Sequence, residues 1–216
     1  MSFLLSGRRA DAIPDSDVYL HDDWGDNKLQ DRVDGDTTTH NGVEGVYRPE
    51  YTVDSGSPQA SNERLEISGG EALRAGINLN LTETITWEIR GLEMTNFDDD
   101  QGTRNIYVNL FAESTSISVG TFPATYSNGY QVVLDAGESG SLRFLIDGSA
   151  QIEETNVGLG PHDIDVTRDP NGDWGLSVNG TSAGSINDTQ FTDPLITGFS
   201  ARSRQTESVI DEYKVF

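Results

Sequence analysis

The residues from His162 to Asn179, HDIDVTRDPNGDWGLSVN, constrain this chain more than any other stretch. Ile164, Val166, Trp174, Leu176 and Val178 fall on even positions with Asp165, Thr167, Gly175 and Ser177 between them, which is the period-two alternation of half-buried strands. The spacing predicts a β-hairpin whose loop is Pro170, Asn171 and Gly172. With that loop Arg168 pairs with Trp174, Val166 with Leu176 and Ile164 with Val178, and every apolar side chain lands on one face. A loop one residue shorter or longer would turn one strand inside out, so the register dictates the loop. Proline fixes φ at the first loop position, asparagine suits the second, and glycine supplies the left-handed residue of a type I turn with a G1 bulge. Gly172 is therefore expected at positive φ.

The same alternation recurs along the chain. Ile85, Trp87 and Ile89 interleave with Thr86, Glu88 and Arg90, and Ile106, Val108 and Leu110 stand two apart. Strands are predicted over Arg64–Ser68, Ile85–Leu92, Asn105–Ala112, Ser116–Phe122, Tyr130–Leu134, Leu142–Ile146, Gln151–Thr155, the hairpin, Leu195–Ser200 and Val209–Phe216. A short strand opens the segment Asp17–Arg32, a loop covers Asp34–Gly45, and Val46–Val53 is extended. Gly-Gly, Asp-Gly and Asn-Gly turn signals separate them, and no stretch has a helical period. The expected fold class is all-β: two antiparallel sheets around one hydrophobic layer, each strand keeping one wet face. Residues 17–216 read as one domain, preceded by an extended arm over residues 1–16 that either frays or docks on the acidic surface of a neighbouring subunit.

Charge narrows the partners. The chain carries 36 acidic and 14 basic side chains, a formal net charge of −22, and only Lys28 and Lys214 are lysines. That balance resembles proteins of salt-in halophiles. In molar salt the Debye length falls to about 3 Å, so a crowded carboxylate surface repels itself little and stays hydrated. No basic stripe is available to neutralise phosphates, so nucleic acid is not an expected partner. Cysteine is absent, which removes disulfides, thiolate zinc sites and cysteine nucleophiles. MSFLLSGRR places its arginines after its apolar run rather than before it, and no stretch reaches the roughly 18 apolar residues of a membrane span. The expectation is a chain released first in the cytoplasm, with no membrane insertion.

Several segments, in their order, resemble the concanavalin A-like lectin/glucanase superfamily and within it the laminin G-like (LamG) branch. They are DDW at Asp22–Trp24, ERLEISGGEALRA from Glu63 to Ala75, ITWEIRGLEM from Ile85 to Met94, the VTRDPNGDWGLSVNG hairpin, and the closing GFSARSRQTESVIDEYKVF. The resemblance implies a concanavalin A-like jelly-roll sandwich of two antiparallel sheets, with an outer closing strand carrying Ile-Asp-Glu-aromatic beside the first strand. It also implies work in binding glycans or proteins, with hydrolysis in some branches.

No catalytic residue is assigned. A glucanase of this superfamily carries Glu-x-Asp-x-x-Glu on one strand, placing acid and nucleophile about 5 Å apart, and neither Glu207 with Asp211 and Glu212 nor Asp163 with Asp165 has that spacing. His21, His40 and His162 lie in unrelated contexts with no serine elbow. No metal ligand is assigned and no cofactor is expected. The run Asp98–Asp100 offers a calcium loop as the alternative to a solvated acidic surface, but consecutive acids cannot all aim at one ion. Asp169, Asn171 and Asp173 imitate half of an EF-hand loop, but Trp174 and Gly180 stand where its glycine and glutamate belong. Trp87 and Trp174 share the parity of apolar neighbours and are expected in the core, whereas Trp24 is open between core and sugar platform. Tyr47, Tyr51 and Tyr126 are candidate glycan contacts, and Asn80, Asn179 and Asn187 begin formal glycosylation sequons. The ligand-binding residues themselves are unknown from the sequence.

The expected function is a non-enzymatic binding and structural module of a halophilic system. The leading expectation is a virion surface component of a haloarchaeal virus, such as a capsid decoration, turret or tail fibre, assembled in the host cytoplasm. Its partners would be other virion or surface-layer proteins, further copies of itself in a homo-oligomer, and host glycans. The alternatives are a secreted or cell-surface carbohydrate-binding lectin or adhesion protein, and a diverged glycoside hydrolase.

Overall fold

The computed structural model describes residues 19–25, 29, 37–40, 43–47, 51–96, 104–114, 128–137, 140–202 and 207–216, with only the backbone of 37–40, 43–47 and 96. In chain order the strands are β1 (Leu20–Asp22), β2 (Thr37–His40), β3 (Val43–Tyr47), β4 (Thr52–Ser55), β5 (Gln59–Ser61) and β6 (Arg64–Ser68). Then come β7 (Ala72–Gly76), β8 (Ile85–Asn96), β9 (Asn105–Ala112), β10 (Gly129–Asp135), β11 (Ser141–Ile146) and β12 (Ser149–Thr155). The last six are β13 (His162–Arg168), β14 (Asp173–Val178), β15 (Thr181–Asn187), β16 (Ile196–Arg202), β17 (Glu207–Ile210) and β18 (Glu212–Val215). No helix occurs among the described residues.

Two sheets stack. A nine-stranded sheet runs β15-β14-β13-β8-β17-β6-β5, with β18 beside β8 and β1 beside β18; a seven-stranded sheet runs β12-β11-β10-β9-β16-β7-β4. Every pairing is antiparallel. The hairpin has the expected register, Ile164 with Val178, Val166 with Leu176 and Arg168 with Trp174, and Gly172 has φ of 82°. Asp169 closes its turn by accepting from the backbone N–H groups of Asn171 and Asp173 at 2.8 and 2.9 Å. These bonds, that from Asp173 first, hold its carboxyl below the usual range.

The closing segment lies beside the first strand, Leu20 opposite Val215 and Asp22 opposite Tyr213. It is not outermost, however, because β18 sits between β1 and β8. Nor is Val209–Phe216 one strand. The twelve-residue β8 pairs with β17 along its second half and β18 along its first. Between them Gly91 takes φ of 65° and Asp211 packs where a side chain on Gly91 would point. Two further differences concern segments with little apolar contrast. Thr37–His40 and Val43–Tyr47 pair as a two-stranded ribbon that begins in the expected loop Asp34–Gly45 and ends in the expected extended stretch, and β5, β7 and β15 appear where no strand was predicted. The predicted strand Ser116–Phe122 and the arm over residues 1–16 lie outside the described residues.

The layer between the sheets is aromatic at its centre. Trp174 stacks on Trp87 with centroids 5.4 Å apart and meets Tyr130 at 4.2 Å and Phe144 at 5.2 Å; such contacts add about 0.5–1.5 kcal/mol each beyond area burial. The indole N–H of Trp87 donates to the Leu110 carbonyl at 3.2 Å, so its polar edge is satisfied. Trp24 also belongs to this layer, fully buried and edge-on to Phe199 at 6.1 Å. The edge strands carry irregularities: the ladder slips once between β11 and β12, and once between β14 and β15.

Candidate functional site

A sandwich offers two outer faces and two loop ends, and here the faces differ. On the nine-stranded sheet a row of charged or hydroxylated side chains crosses four pairings, Ser177, Asp165, Glu88, Lys214 and His21. Arg90 bridges Asp165 at 2.6 Å and Glu88 at 3.0 Å, and His21 meets Glu212 at 2.7 Å. Burial works against the Arg90 charge, but the bond to Asp165 and the fields of Glu88, Asp165 and Asp163 outweigh it, so its pKa rises. This is the wet face expected from the sequence.

Over its central strands β9, β10 and β16 the outer face of the seven-stranded sheet is not wet, contrary to the expectation that each strand keeps one wet face. One row runs Leu145, Gln131, Asn109, Gly198 and Arg74; the next runs Arg143, Val133, Tyr107, Ser200 and Ala72. Asn109 and Ser200 are 0 % exposed and Gln131 is 2 %, and Tyr107, Val133 and Leu145 form a second apolar cluster. The amides knit the rows together. Gln131 Nε2 donates to Asn109 Oδ1 at 2.6 Å, and Asn109 Nδ2 donates to the Gly198 carbonyl at 3.3 Å. With its oxygen accepting from the Tyr107 hydroxyl at 2.9 Å, the Asn105 amide donates to Asp135 at 3.2 Å and to the Arg104 carbonyl at 2.6 Å. Asp135 pairs in turn with Arg143. Among the described residues the buried Ser200 hydroxyl has no hydrogen-bond partner. Burial of amides is tolerable because they bond to one another; carboxylates in the same positions would each bury a charge. The signal for this face was present in the sequence, since the alternate positions of β9 and β10 carry Asn, Tyr, Gln and Val where β8 and β13 carry Glu, Arg and Asp.

The open chemistry lies at the loop end where β10 begins and β11 turns into β12. A cavity of about 270 Å³ opens there, between the Asp147–Gly148 turn and the segment after β15. Asp147 and Gly148 both have positive φ, 46° and 77°, as a two-residue hairpin turn demands. The Asp147 carboxylate accepts from the Asn128 N–H at 3.1 Å, which ties the turn to the start of β10. Across the cavity stands Asp188. The Tyr130 hydroxyl donates to its Oδ1 at 2.5 Å and the Gln190 N–H to the same oxygen at 2.9 Å. Its carbonyl accepts from the Trp174 indole at 3.1 Å. Burial first, and then the bond to Asp188, push the Tyr130 phenol above its usual range. Nearby, Glu113 at the end of β9 accepts from the Thr192 and Asp193 N–H groups at 2.5 and 2.9 Å. A larger cavity of about 440 Å³ lies beside Leu29 and Pro58, and the described residues that line it carry no titratable side chain.

Residues singled out from the sequence are scattered. Trp24, Trp87 and Trp174 are all core. Tyr51 is 2 % exposed and packs on Phe199 at 6.2 Å, which removes it as a glycan contact in this conformation. Tyr126, Asp98–Asp100 and the side chains of Tyr47 and His40 lie outside the described residues. His162 is buried beside Asn179 and the Gly158 carbonyl. Among the described residues no group of three or more His, Asp or Glu side chains could hold a metal ion. Asp188 was not singled out; in a chain with 36 acids nothing local distinguishes it.

Strand order, pairing and the absence of helix among the described residues define a concanavalin A-like jelly-roll sandwich of two antiparallel sheets, the fold of several solved lectin-like domains. Particular structures with this fold include the carbohydrate recognition domain of Emp47p, at TM-score 0.61 and 14 % identity over 97 % of this chain and 99 % of that one. The exoplasmic/lumenal domain of VIP36, in a form bound to Ca²⁺ and mannose, superposes at TM-score 0.59 and 10 % identity over 80 % of this chain and 84 % of that one. A legume lectin-like domain from Entamoeba histolytica does so at 0.52 and 10 % over 77 % and 89 %. At the level of sequence no family model matches, and no curated protein matches.

Proposed function

We propose that this chain is a non-enzymatic, carbohydrate-binding lectin-like module acting at an extracellular or cell-surface location. The observation that carries the reading is the near-complete correspondence with the Emp47p carbohydrate recognition domain, 97 % of this chain against 99 % of that one. The loop end supports it, because carboxylate, amide and hydroxyl groups stand around an open cavity, the donor and acceptor set that sugar hydroxyls require. The reading is tested by binding of the full chain to an immobilised glycan array in molar salt, followed by calorimetry on the best ligand. Saturable binding is expected; a blank array, or release of reducing sugar from bound polysaccharide, overturns it.

Finer features are part of the same proposal. The LamG branch rests on the ordered segments from Asp22 to Phe216, and the single domain over residues 17–216 rests on the same span. The net charge of −22 with two lysines supports a halophilic setting. Near-UV circular dichroism during dialysis into dilute buffer tests this: tertiary signal should fade, and a retained signal overturns the halophilic assignment. A virion surface component in a homo-oligomer is the second reading, favoured by the same acidic surface. Particle or ring formation in molar salt, seen by mass photometry, would support it, and a strict monomer would overturn it.

A further inference from the structure

The cavity at the loop end is the best-built open feature among the described residues. Its central carboxylate is held by groups that do not themselves face solvent. Tyr130 is 0 % exposed and Trp174 is 1 % exposed, yet the first donates to Asp188 Oδ1 at 2.5 Å and the second to the Asp188 carbonyl at 3.1 Å. Both rings are locked in the aromatic layer, with Tyr130 4.2 Å from Trp174 and 5.0 Å from Phe111. The Asp188 N–H donates to the Gly172 carbonyl at 2.8 Å, so the hairpin turn braces the same residue. A carboxylate on an acidic surface gains nothing from such bracing; one that must meet a ligand in a fixed direction does.

The opposite wall has an equally specific construction. Between β11 and β12 the ladder pairs Phe144 with Ile152 and Leu145 with Ala150, so Gln151 is an extra residue in a β-bulge. Bulges re-aim side chains beside functional sites, and Gln151 lines the cavity together with Ser149, Asp147 and, across the opening, Gln190. Ile186 adds an apolar surface. Two carboxylates alone are too few for a calcium cage of six or more oxygens. Acceptors, amide donors and a small apolar wall instead match one neutral sugar ring, which presents hydroxyls on its edge and C–H groups on its face. A volume of about 270 Å³ falls just below the usual range for ligand pockets and has room for no more than a single residue of a glycan.

We propose that this cavity is a glycan subsite in which Asp188 Oδ2 accepts from a sugar hydroxyl, Gln151 and Gln190 donate to neighbouring oxygens, and Tyr130 is the positioning residue that aims Asp188. The inference rests on the glycan-binding reading and names where that binding occurs. It is tested on the full chain in molar salt with methyl α-mannoside, methyl β-glucoside and methyl β-galactoside, and with the monodeoxy analogues of whichever binds best. Asp188→Asn should weaken the best ligand about tenfold or more, as expected for loss of a charged hydrogen bond, with the melting midpoint unchanged. One deoxy analogue should bind the parent poorly but suffer no further loss in Asp188→Asn. Tyr130→Phe should weaken binding by less and reduce the penalty for that same analogue, a coupling that a role in packing alone would not produce. Gln151→Ala, at the exposed bulge of β12, gives a second arm if Asp188→Asn misfolds, and should weaken binding about threefold or more. If glycans bind but Asp188→Asn and Gln151→Ala leave affinity and deoxy penalties unchanged, the subsite is overturned while the glycan reading stands. If no glycoside and no array glycan binds, both fall.

Discussion

The outer faces of the two sheets obey opposite rules although both come from alternating strands. On the nine-stranded sheet many outward positions are charged, and Arg90 is matched across the strands by Asp165 and along its own strand by Glu88. On the central strands β9, β10 and β16 of the seven-stranded sheet the outward positions are amides, small residues and apolar side chains, closed to water. In a chain of net charge −22, sparing one face from carboxylates is what allows it to be dry. The loop-end cavity lies where β10 and β11 of the dry sheet meet the segment after β15 of the wet one.

Placing a carboxylate on each face should separate them most sharply. Asn109→Asp, at a fully buried position, should cost about 3 kcal/mol because the new charge has no cationic partner. Thr167→Glu, on the exposed face of the hairpin, should change stability by no more than about 0.5 kcal/mol. Urea denaturation midpoints in molar salt check both, and equal effects would erase the distinction. Ser200→Ala should stabilise by about 1 kcal/mol, since it removes a buried hydroxyl with no partner among the described residues; a loss of stability would mean that the hydroxyl is satisfied. Arg90→Met should cost about 1 kcal/mol or less, and the cost should shrink as salt rises, because its partners are part-exposed. The smallest effect belongs to Asp169. Its folded-state pKa lies below the unfolded value, so its contribution is present above the ordinary carboxylate range and is lost as pH falls through the folded pKa. Asp169→Asn should accordingly match the parent at the acid extreme and fall slightly below it on the neutral plateau, which flattens the acid limb below about pH 4, measured by thermal melts across acid pH.

Much of the fold was legible because side-chain alternation and turn chemistry pointed the same way. In the hairpin, five apolar residues of one parity and a Pro-Asn-Gly loop left a single register, and that register is observed. Strands β7 and β15 were not legible, because ALRAG and TSAGSIN offer too little apolar contrast to show a period and are held by their neighbours' ladders instead. The split of the last strand depends on Gly91 of β8, more than a hundred residues earlier. The candidate site was least legible of all. Asp188 differs from its many fellow acids only through Tyr130, which lies 58 residues away in the chain, and sequence spacing carries no trace of that meeting.

The slipped rungs at the rims of the sheets bear on how copies of this molecule can coexist when crowded. An incoming strand seeking to lengthen β12 or β15 finds its hydrogen-bonding partners out of step partway along, and at the opposite rims β4 and β5 offer only four and three residues. Sheet-to-sheet fusion is thereby discouraged at these four margins, and equally at the fifth, β1, which is three residues long, which leaves loops and faces for any contact between copies, where it can be selective and reversible.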